Sequence, residues 1–484
     1  MIVVLSQGCA ANFGDGEKIA RILSQKSEVT FEFPEAKAAH STRAVSFSSK
    51  TTTNLENAEN STSAANPADF STEKPEAFYL NVCTVKGNAG AMKLLRKAAS
   101  TFPGVPIYIT GCAPKDFREE ALRTVPNVQF TSLKELEASA ILPTQSAQSP
   151  SSQINARTPD SNKASRNVLR ESPFVGIVNI EEGCLDACAF CSTHLVKGRL
   201  HSFVPQTIVD QVQALVDDGC LEIQLTGQDC ACYGFDIGTN LAELTQRILT
   251  HVNGNYRIRL GMGNPRHVLG YQEALLDCFT DDRIYKFIHI PVQSGSENVL
   301  KAMNRRHTAR DYATLAHAFT ERFRKFTLST DLIVGYPGET AEDFNDTLKL
   351  LKETRPTVCN ITRFVARPGT VAAHLESTIN SAHLEASNSA RLAPAPLAVP
   401  DDIKHERSAI LAEAFQQIAL ENNREWIGDE CTVVTEKQGY RAGTTIARNE
   451  AYRPVALQGS FPAGQTLRVR ITDAEPFALI AKPL

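Results

Sequence analysis

The sequence is short of several things, and each shortage excludes a class of protein. No run approaches the ~18 apolar residues that a membrane-crossing helix needs, so no membrane partner is expected. There is no surplus of charge: 50 Lys and Arg face 54 Asp and Glu, a net of −4, so bulk electrostatics announce no nucleic acid. The opening IVVL turns polar at Ser6 and carries neither a basic leader nor a cleavage-like site, unlike a secretion signal. Aromatics make up 7% of the chain, with one Trp, yet the 42% apolar and 21% charged fractions are ordinary for a globular protein. The expected compartment is therefore the cytoplasm. Thiols stay reduced there, so the twelve cysteines point to metal or catalysis before disulfides.

Three stretches lack large apolar residues: 35–75, 143–168 and 376–400, rich in Ser, Thr, Ala, Asn and Pro. Such segments bury too little surface to offset ordering entropy and read as disordered inserts or linkers. They set off an α/β chain of three folded blocks: 1–140 with the insert 35–75, a linker at 141–171, 172–423 with the insert 376–400, and 424–484. In the first block MIVVLSQ, AFYLNVC and VPIYITG are strand candidates, each followed by a helical pattern, which predicts an open parallel sheet. The second block repeats that alternation about six times, through FVGIVNI, LEIQLTG, YRIRLGM, YKFIHIPV, FTLSTDLIVG and CNITRFV. That suggests a barrel or partial barrel with its chemistry on the loops after the strands. A long amphipathic helix over 401–423 precedes a final block of short alternating strands that suggests a small β-barrel.

The loop after the first barrel strand reads Gly183-Cys184-Leu185-Asp186-Ala187-Cys188-Ala189-Phe190-Cys191. Thiolates are the usual ligands of iron–sulfur clusters, and three close cysteines can hold three corners of a four-iron cluster and leave one iron open. A closed zinc site would want four ligands. A second triad, Cys9, Cys83 and Cys112, follows three candidate strands of the first block. In an open parallel sheet those strand ends share one edge, so the three can converge. Three unrelated small core residues are the bland alternative. Cys220, Cys230, Cys232, Cys278, Cys359 and Cys431 read as core or near-site thiols.

The C-x3-C-x2-C spacing resembles the radical S-adenosylmethionine superfamily. GCAANFGDGEKIA, NVCTVKG and TGCAPKD, with TGQD, HIPVQSGS, DLIVGYPGET and RFVARPGT, resemble the tRNA methylthiotransferases. The last block resembles a TRAM domain, a small RNA-binding barrel. RLGMGNP, YGFDIGTN and RPGT resemble the archaeal and eukaryotic branch that acts on N6-threonylcarbamoyladenosine. The resemblance implies a radical-SAM partial barrel, S-adenosylmethionine, one [4Fe-4S] cluster on Cys184, Cys188 and Cys191 and an auxiliary [4Fe-4S] cluster on Cys9, Cys83 and Cys112. It implies methylthiolation of carbon 2 of that base at position 37 of tRNAs reading codons that begin with A, with an electron donor as a further partner. Three positions depart from the family pattern: Val82, Lys197, where Arg is usual, and the Cys230/Cys232 pair.

By the same resemblance Gly227, Gln228 and Asp229 contact the amino end of S-adenosylmethionine, although Gly and Asp also favour a plain turn. Gln293 and Ser294 are candidates for its ribose or carboxylate. Glu339 is a candidate helix cap, and His289 reads as a packed histidine. Arg305, Arg306 and Arg310 read as a solvated basic face, with phosphate contact as the alternative. Arg468 and Arg470 share a strand face and form a possible RNA stripe. The carboxylate of a threonylcarbamoyl group calls for a cation, for which Arg259, Arg266 and Arg367 are candidates. The rival readings are a methylthiotransferase for isopentenyladenosine or a ribosomal protein, and a non-catalytic iron–sulfur protein for RNA binding or electron transfer.

Overall fold

The computed structural model describes residues 1–8, 10–34, 74–83, 88–141, 169–376 and 398–484. Cys9 and most of the three low-complexity stretches lie outside the described residues.

The first block is an open parallel sheet of β1 (Ile2–Ser6), β2 (Val29–Thr30), β3 (Ala77–Cys83), β4 (Ile107–Cys112) and β5 (Gln129–Phe130), in the order β2-β1-β3-β4-β5. Both faces are covered. Val3 joins Phe78, Leu80, Leu95 and Ile109 on one side, while Ile2 and Val4 join Ile19, Leu23 and Leu136 on the other. A strand buried on both faces loses its polar alternation, which is why IVVLS reads as one apolar run. The register sets Cys83 directly beside Cys112 at the C-terminal ends of β3 and β4. The end of β1 arrives at the same place through Gly8. Its φ is +118°, and a Cβ there would lie 2.2 Å from Cys83 Cβ, so only glycine lets the backbone come this close.

The second block contributes β6 (Val175–Asn179), the two-residue pair β7 (Glu181–Glu182) and β8 (His201–Ser202), then β9 (Glu222–Thr226), β10 (Arg257–Leu260), β11 (Phe287–His289), β12 (Thr327–Val334) and β13 (Val358–Arg363). Two parallel sheets, β10-β9-β6 and β11-β12-β13, are joined by a bridge between Ile258 and Ile284 into a partial barrel. Helices Pro205–Asp217 and Leu241–His251 pack Val212, Leu215, Leu244 and Ile248 against Ile223, Leu225 and Ile258. The alternate strand residues, among them Gln224, Arg259, His289 and Asp331, line the lumen.

Helix Asp401–Arg424 leads into a closed barrel of β14 (Glu430–Gln438), β15 (Thr444–Asn449), β16 (Pro454–Gln458), β17 (Thr466–Glu475) and β18 (Ala478–Pro483), in the order β14-β15-β16-β18-β17. Trp426, Val433, Leu457 and Ile471 fill its core. The flanking blocks grip opposite ends of the central strands. At the C-terminal end of β6, Asn179 Nδ2 donates to Asp15 Oδ1 at 3.0 Å. At the N-terminal ends, the Tyr452 hydroxyl donates to Glu222 at 2.9 Å and the Lys286 amide to the Glu450 carbonyl at 2.9 Å. No described helix is long and apolar enough to cross a membrane.

Candidate active site

A single cavity of about 1810 Å³ runs through the lumen from the cysteine loops to the C-terminal barrel. Cys83 and Cys112 line it together with Cys184, Cys188 and Cys191. Five of the six triad cysteines thus open on one space, and Cys9 lies outside the described residues.

The Cys184–Cys191 loop is held from all sides. Gly183 has φ +85°, and a Cβ there would lie 2.0 Å from the Arg199 carbonyl, so the loop must leave the β7–β8 pair through glycine. The Gly183 amide donates to Gln228 Oε1 at 2.7 Å. The Ala189 amide donates to the Met303 carbonyl at 2.9 Å, and Asn304 Nδ2 to the Ala187 carbonyl at 2.7 Å. Arg305 Nη1 donates to Cys188 Sγ at 3.3 Å. Burial pushes the Cys184 and Cys188 thiols above their ordinary range, and Arg305 pulls Cys188 part of the way back. Buried thiolates therefore need a positive partner. Three sulfurs on one loop, lining a cavity and short of charge compensation, fit the donor set of a four-iron cluster with one open corner.

The loop after β9 is built differently from its sequence-based reading. A Cβ on Gly227 would lie 2.0 Å from Glu181 Oε1, so glycine here makes room for a buried carboxylate. Glu181 is 2% exposed and accepts the Asp229 amide at 3.0 Å. Burial, with Asp229 adding to it, pushes its carboxyl up to about 8, against the hydrogen bonds it accepts. Asp229 borders the cavity, but its carboxylate accepts the Asn264 amide at 2.9 Å and the Ala231 amide at 3.2 Å. It braces the loops. Gly227 and Gln228 also line the cavity, and Gln228 Oε1 accepts from the cysteine loop, as above.

Gln293 lines the cavity with φ 76° in the left-handed region, pinned by its amide to the Asp331 carbonyl and by its carbonyl to the Ile333 amide, both at 2.8 Å. Ser294 is a correction. It is fully buried, and its hydroxyl meets Thr347 Oγ1 at 3.1 Å and the Ser296 amide at 3.2 Å, so it fixes a turn away from the cavity. Glu339 caps no helix: Thr340 does, in a capping box with Asp343, while Glu339 pairs with Arg407 at 2.5 Å. His289 is paired with Asp331 at 3.1 Å inside the lumen. Arg305 belongs to the site and not to a solvated face; Arg306 and Arg310 are exposed. Arg468 and Arg470 both pair with Glu430, at 2.9 and 2.6 Å, which neutralises part of the supposed RNA stripe. Cys230 and Cys232 are fully buried core residues.

Residues 178–351 match the radical SAM superfamily and residues 424–484 the TRAM domain. A "Probable threonylcarbamoyladenosine tRNA methylthiotransferase" of Pyrococcus horikoshii is 34% identical over 396 residues, 80% of this chain and 86% of its own length. The chain belongs to this family. An Archaeoglobus fulgidus protein of the same name is 39% identical over 305 residues, 63% of this chain and 66% of that one. The Drosophila pseudoobscura pseudoobscura threonylcarbamoyladenosine tRNA methylthiotransferase is 28% identical over 417 residues, 85% of this chain and 71% of that one. As a radical SAM protein, this family member uses S-adenosylmethionine and a four-iron cluster.

Two residues of the methylthiotransferase site gave little sign in the sequence. Glu181 sits in an acidic pair that resembles surface, and only its place three residues before Cys184 hinted otherwise. Tyr452 belongs to the TRAM barrel, yet it closes the far end of the lumen.

Proposed function

We propose that this protein adds a methylthio group to carbon 2 of N6-threonylcarbamoyladenosine at position 37 of tRNAs reading codons that begin with A. One observation carries the reading: Cys83 and Cys112 of the first domain line the same cavity as Cys184, Cys188 and Cys191 of the second. In it, Cys184, Cys188 and Cys191 hold the radical cluster, and Cys9, Cys83 and Cys112 hold an auxiliary four-iron cluster. When bound, S-adenosylmethionine supplies both the methyl group and, on one-electron cleavage, a 5′-deoxyadenosyl radical, while the auxiliary cluster carries the sulfur. An external reductant provides the electron.

The chain's own residues prepare the space. Arg305 places positive charge on Cys188, and Gln228 and Gly183 fix the mouth of the radical loop. Gly8 brings the chain after β1 against Cys83. The lumen below, into which Gln224, Arg259, His289 and Asp331 face, is deep enough for an extruded base, and the TRAM barrel at its far end suits RNA, whose readers engage unpaired loop bases. The protein works in the cytoplasm, where its substrate is found.

The test offers the anaerobically reconstituted enzyme three tRNAs: one with threonylcarbamoyl, one with isopentenyl and one with unmodified adenosine 37. Nucleoside mass spectrometry should find methylthio product on the first. Preference for the isopentenyl tRNA, or product on none, overturns the reading.

A further inference from the structure

The first turns of helix Ala10–Leu23 lie between the two cysteine-bearing domains, packed on β1 and β3 of their own sheet and on β6 of the barrel. Two glycines allow that fit. A Cβ on Gly14 would lie 2.9 Å from Ile177 Cγ2 on β6, and a Cβ on Gly16 would lie 1.9 Å from Ser6 Oγ on β1. Glycine weakens a helix interior, and here it brings the helix backbone directly onto both domains.

On one side the helix holds the strand ends that carry Cys83 and Cys112. Buried Asn12 Nδ2 donates to the Gln7 carbonyl at 2.7 Å and to the Asn81 carbonyl at 2.9 Å, and Asn81 Nδ2 donates back to the Asn12 carbonyl at 2.5 Å. Asn81 stands two residues before Cys83 on β3. Gly111, the residue before Cys112 on β4, fits against the same pair: a Cβ there would lie 2.4 Å from Asn81 Oδ1 and 3.0 Å from Asn12 Oδ1. On the other side, three residues on, Asp15 holds the radical loop. Its Oδ1 accepts Asn179 Nδ2 at 3.0 Å, and its Oδ2 lies 3.2 Å from Lys197 Nζ, which is also 3.6 Å from Glu182. Asn179 ends β6, ahead of the Cys184–Cys191 loop, and Lys197 ends the short helix Thr193–Lys197 that follows it. One mostly buried carboxylate therefore grips both ends of the segment that carries Cys184, Cys188 and Cys191.

We propose that Asp15 is a positioning residue for methylthio transfer: through Asn179 and Lys197 it fixes the Cys83–Cys112 edge of the first domain against the Cys184–Cys191 loop, and so sets the separation of the two metal centres. The inference rests on the reading that the first-domain cysteines hold an auxiliary cluster. The radical loop keeps its own shape without Asp15, because Gln228, Met303, Asn304 and Arg305 hold it. Transfer depends on Asp15, because a sulfur carried at one centre must meet a base activated at the other, and a misplacement of about 1 Å in such a step costs up to about a hundredfold. At Lys197, where the family usually has Arg, either cation can pair with this carboxylate.

The anaerobically reconstituted holoenzyme tests this. Asp15→Ala should keep the iron content of the parent and its tRNA-independent cleavage of S-adenosylmethionine, while the methylthio product formed per 5′-deoxyadenosine falls by about ten- to a hundredfold. A second readout needs no turnover. In the dithionite-reduced protein, pulsed EPR reads the dipolar interaction between the two reduced clusters, which should weaken and spread over a wider range in Asp15→Ala. Lys197→Met should act in the same direction, and the double variant should be no worse than Asp15→Ala alone, since both changes break one contact. Lys197→Arg should match the parent. Parental product yield and parental dipolar interaction in fully loaded Asp15→Ala overturn the proposal. So does a parallel loss of cleavage and product in that loaded protein, which is what a merely structural role gives. If Asp15→Ala loads poorly, Lys197→Met decides alone by the same two readouts. Failure of the underlying reading looks different: the parent itself would hold about four irons instead of about eight and show no dipolar interaction.

Discussion

Arg305 and Cys188 are 117 residues apart in the chain and 3.3 Å apart in space, with the guanidinium Nη1 donating to the sulfur. The second amino group, Nη2, donates to the Pro291 carbonyl at 2.9 Å and to Asn264 Oδ1 at 3.2 Å, so the side chain cannot swing away. A charge-assisted hydrogen bond of this kind contributes about 1.5–3 kcal/mol. Arg305→Met should therefore slow reductive cleavage of S-adenosylmethionine by roughly 10- to 100-fold. Arg305→Lys, which keeps charge but loses the fork, should lie between. Chromatographic assay of 5′-deoxyadenosine checks both. Iron loading equal to the parent in each variant is needed to assign the loss to the hydrogen bond.

Removing the triads separately should separate the two half-reactions. Cys184, Cys188 and Cys191 changed to Ala should halve the iron from about eight per chain and abolish S-adenosylmethionine cleavage. Cys9, Cys83 and Cys112 changed to Ala should also halve the iron yet leave cleavage running, with no methylthio product. Retained iron in the second variant would make Cys83 and Cys112 ordinary core thiols.

Glu17 gives a pH signature at the domain interface. Its carboxylate accepts the Glu171 amide at 3.2 Å, and burial, partly offset by that bond and by Arg170, pushes its pKa up to about 7 from an unfolded value of 4.5. The folded state then holds a proton that the unfolded state has released. The stabilisation is complete below pH ~4.5 and is lost as pH rises through about 7. Glu17→Gln mimics the protonated form. It should be more stable than the parent at pH 8, by about 1–2 kcal/mol after allowing for partial solvent contact, and the gap should close near pH 4.5. Thermal unfolding at a series of pH values measures this; a gap independent of pH would show that Glu17 is ionised in the fold.

These residues also mark how far the sequence could be read. Helix Ala341–Thr354 rests on a local Thr340/Asp343 capping box, yet the cap is misplaced by one residue when read from sequence, because Glu339 also precedes the apolar spacing and its partner Arg407 lies far along the chain. The six parallel strands of the partial barrel were legible because each lies within a local apolar run between turn residues. β2, β5, β7 and β8 were not: two residues cannot display a period of two. The cysteine spacing of 184–191 was local information, whereas the meeting of Cys83 with Cys112 needed the parallel register to place it. Arg305 was misread because its partners lie elsewhere in the chain, and an Arg-Arg pair beside a helix resembles surface. Ser294 was misread because a Ser beside a cavity-lining Gln gives no sign of which way its hydroxyl turns; Thr347 decides that.

Of the three arginines expected as candidates for the substrate carboxylate, Arg259 is the one whose surroundings leave it available. Arg266 is tied to Asp186 at 2.5 Å, and Arg367 stands by the cysteines. Arg259 remains inside the lumen. Its guanidinium lies 5.0 Å from the Phe287 ring and 5.2 Å from the Tyr452 ring, so two aromatic faces hold it in place. Among the described residues no carboxylate pairs with it, and its buried Nε has no hydrogen-bond partner. A fixed cation with donors to spare, facing a cavity, matches a planar carboxylate. Arg259→Gln should leave tRNA-independent cleavage of S-adenosylmethionine unchanged. It should lower kcat/KM on threonylcarbamoyl tRNA by roughly 10- to 100-fold, the worth of a charge-assisted hydrogen bond. The variant should lose little on tRNA with unmodified adenosine, so that selection between the two narrows. Equal losses on both tRNAs would show that Arg259 meets the nucleic acid elsewhere than at the threonine carboxylate.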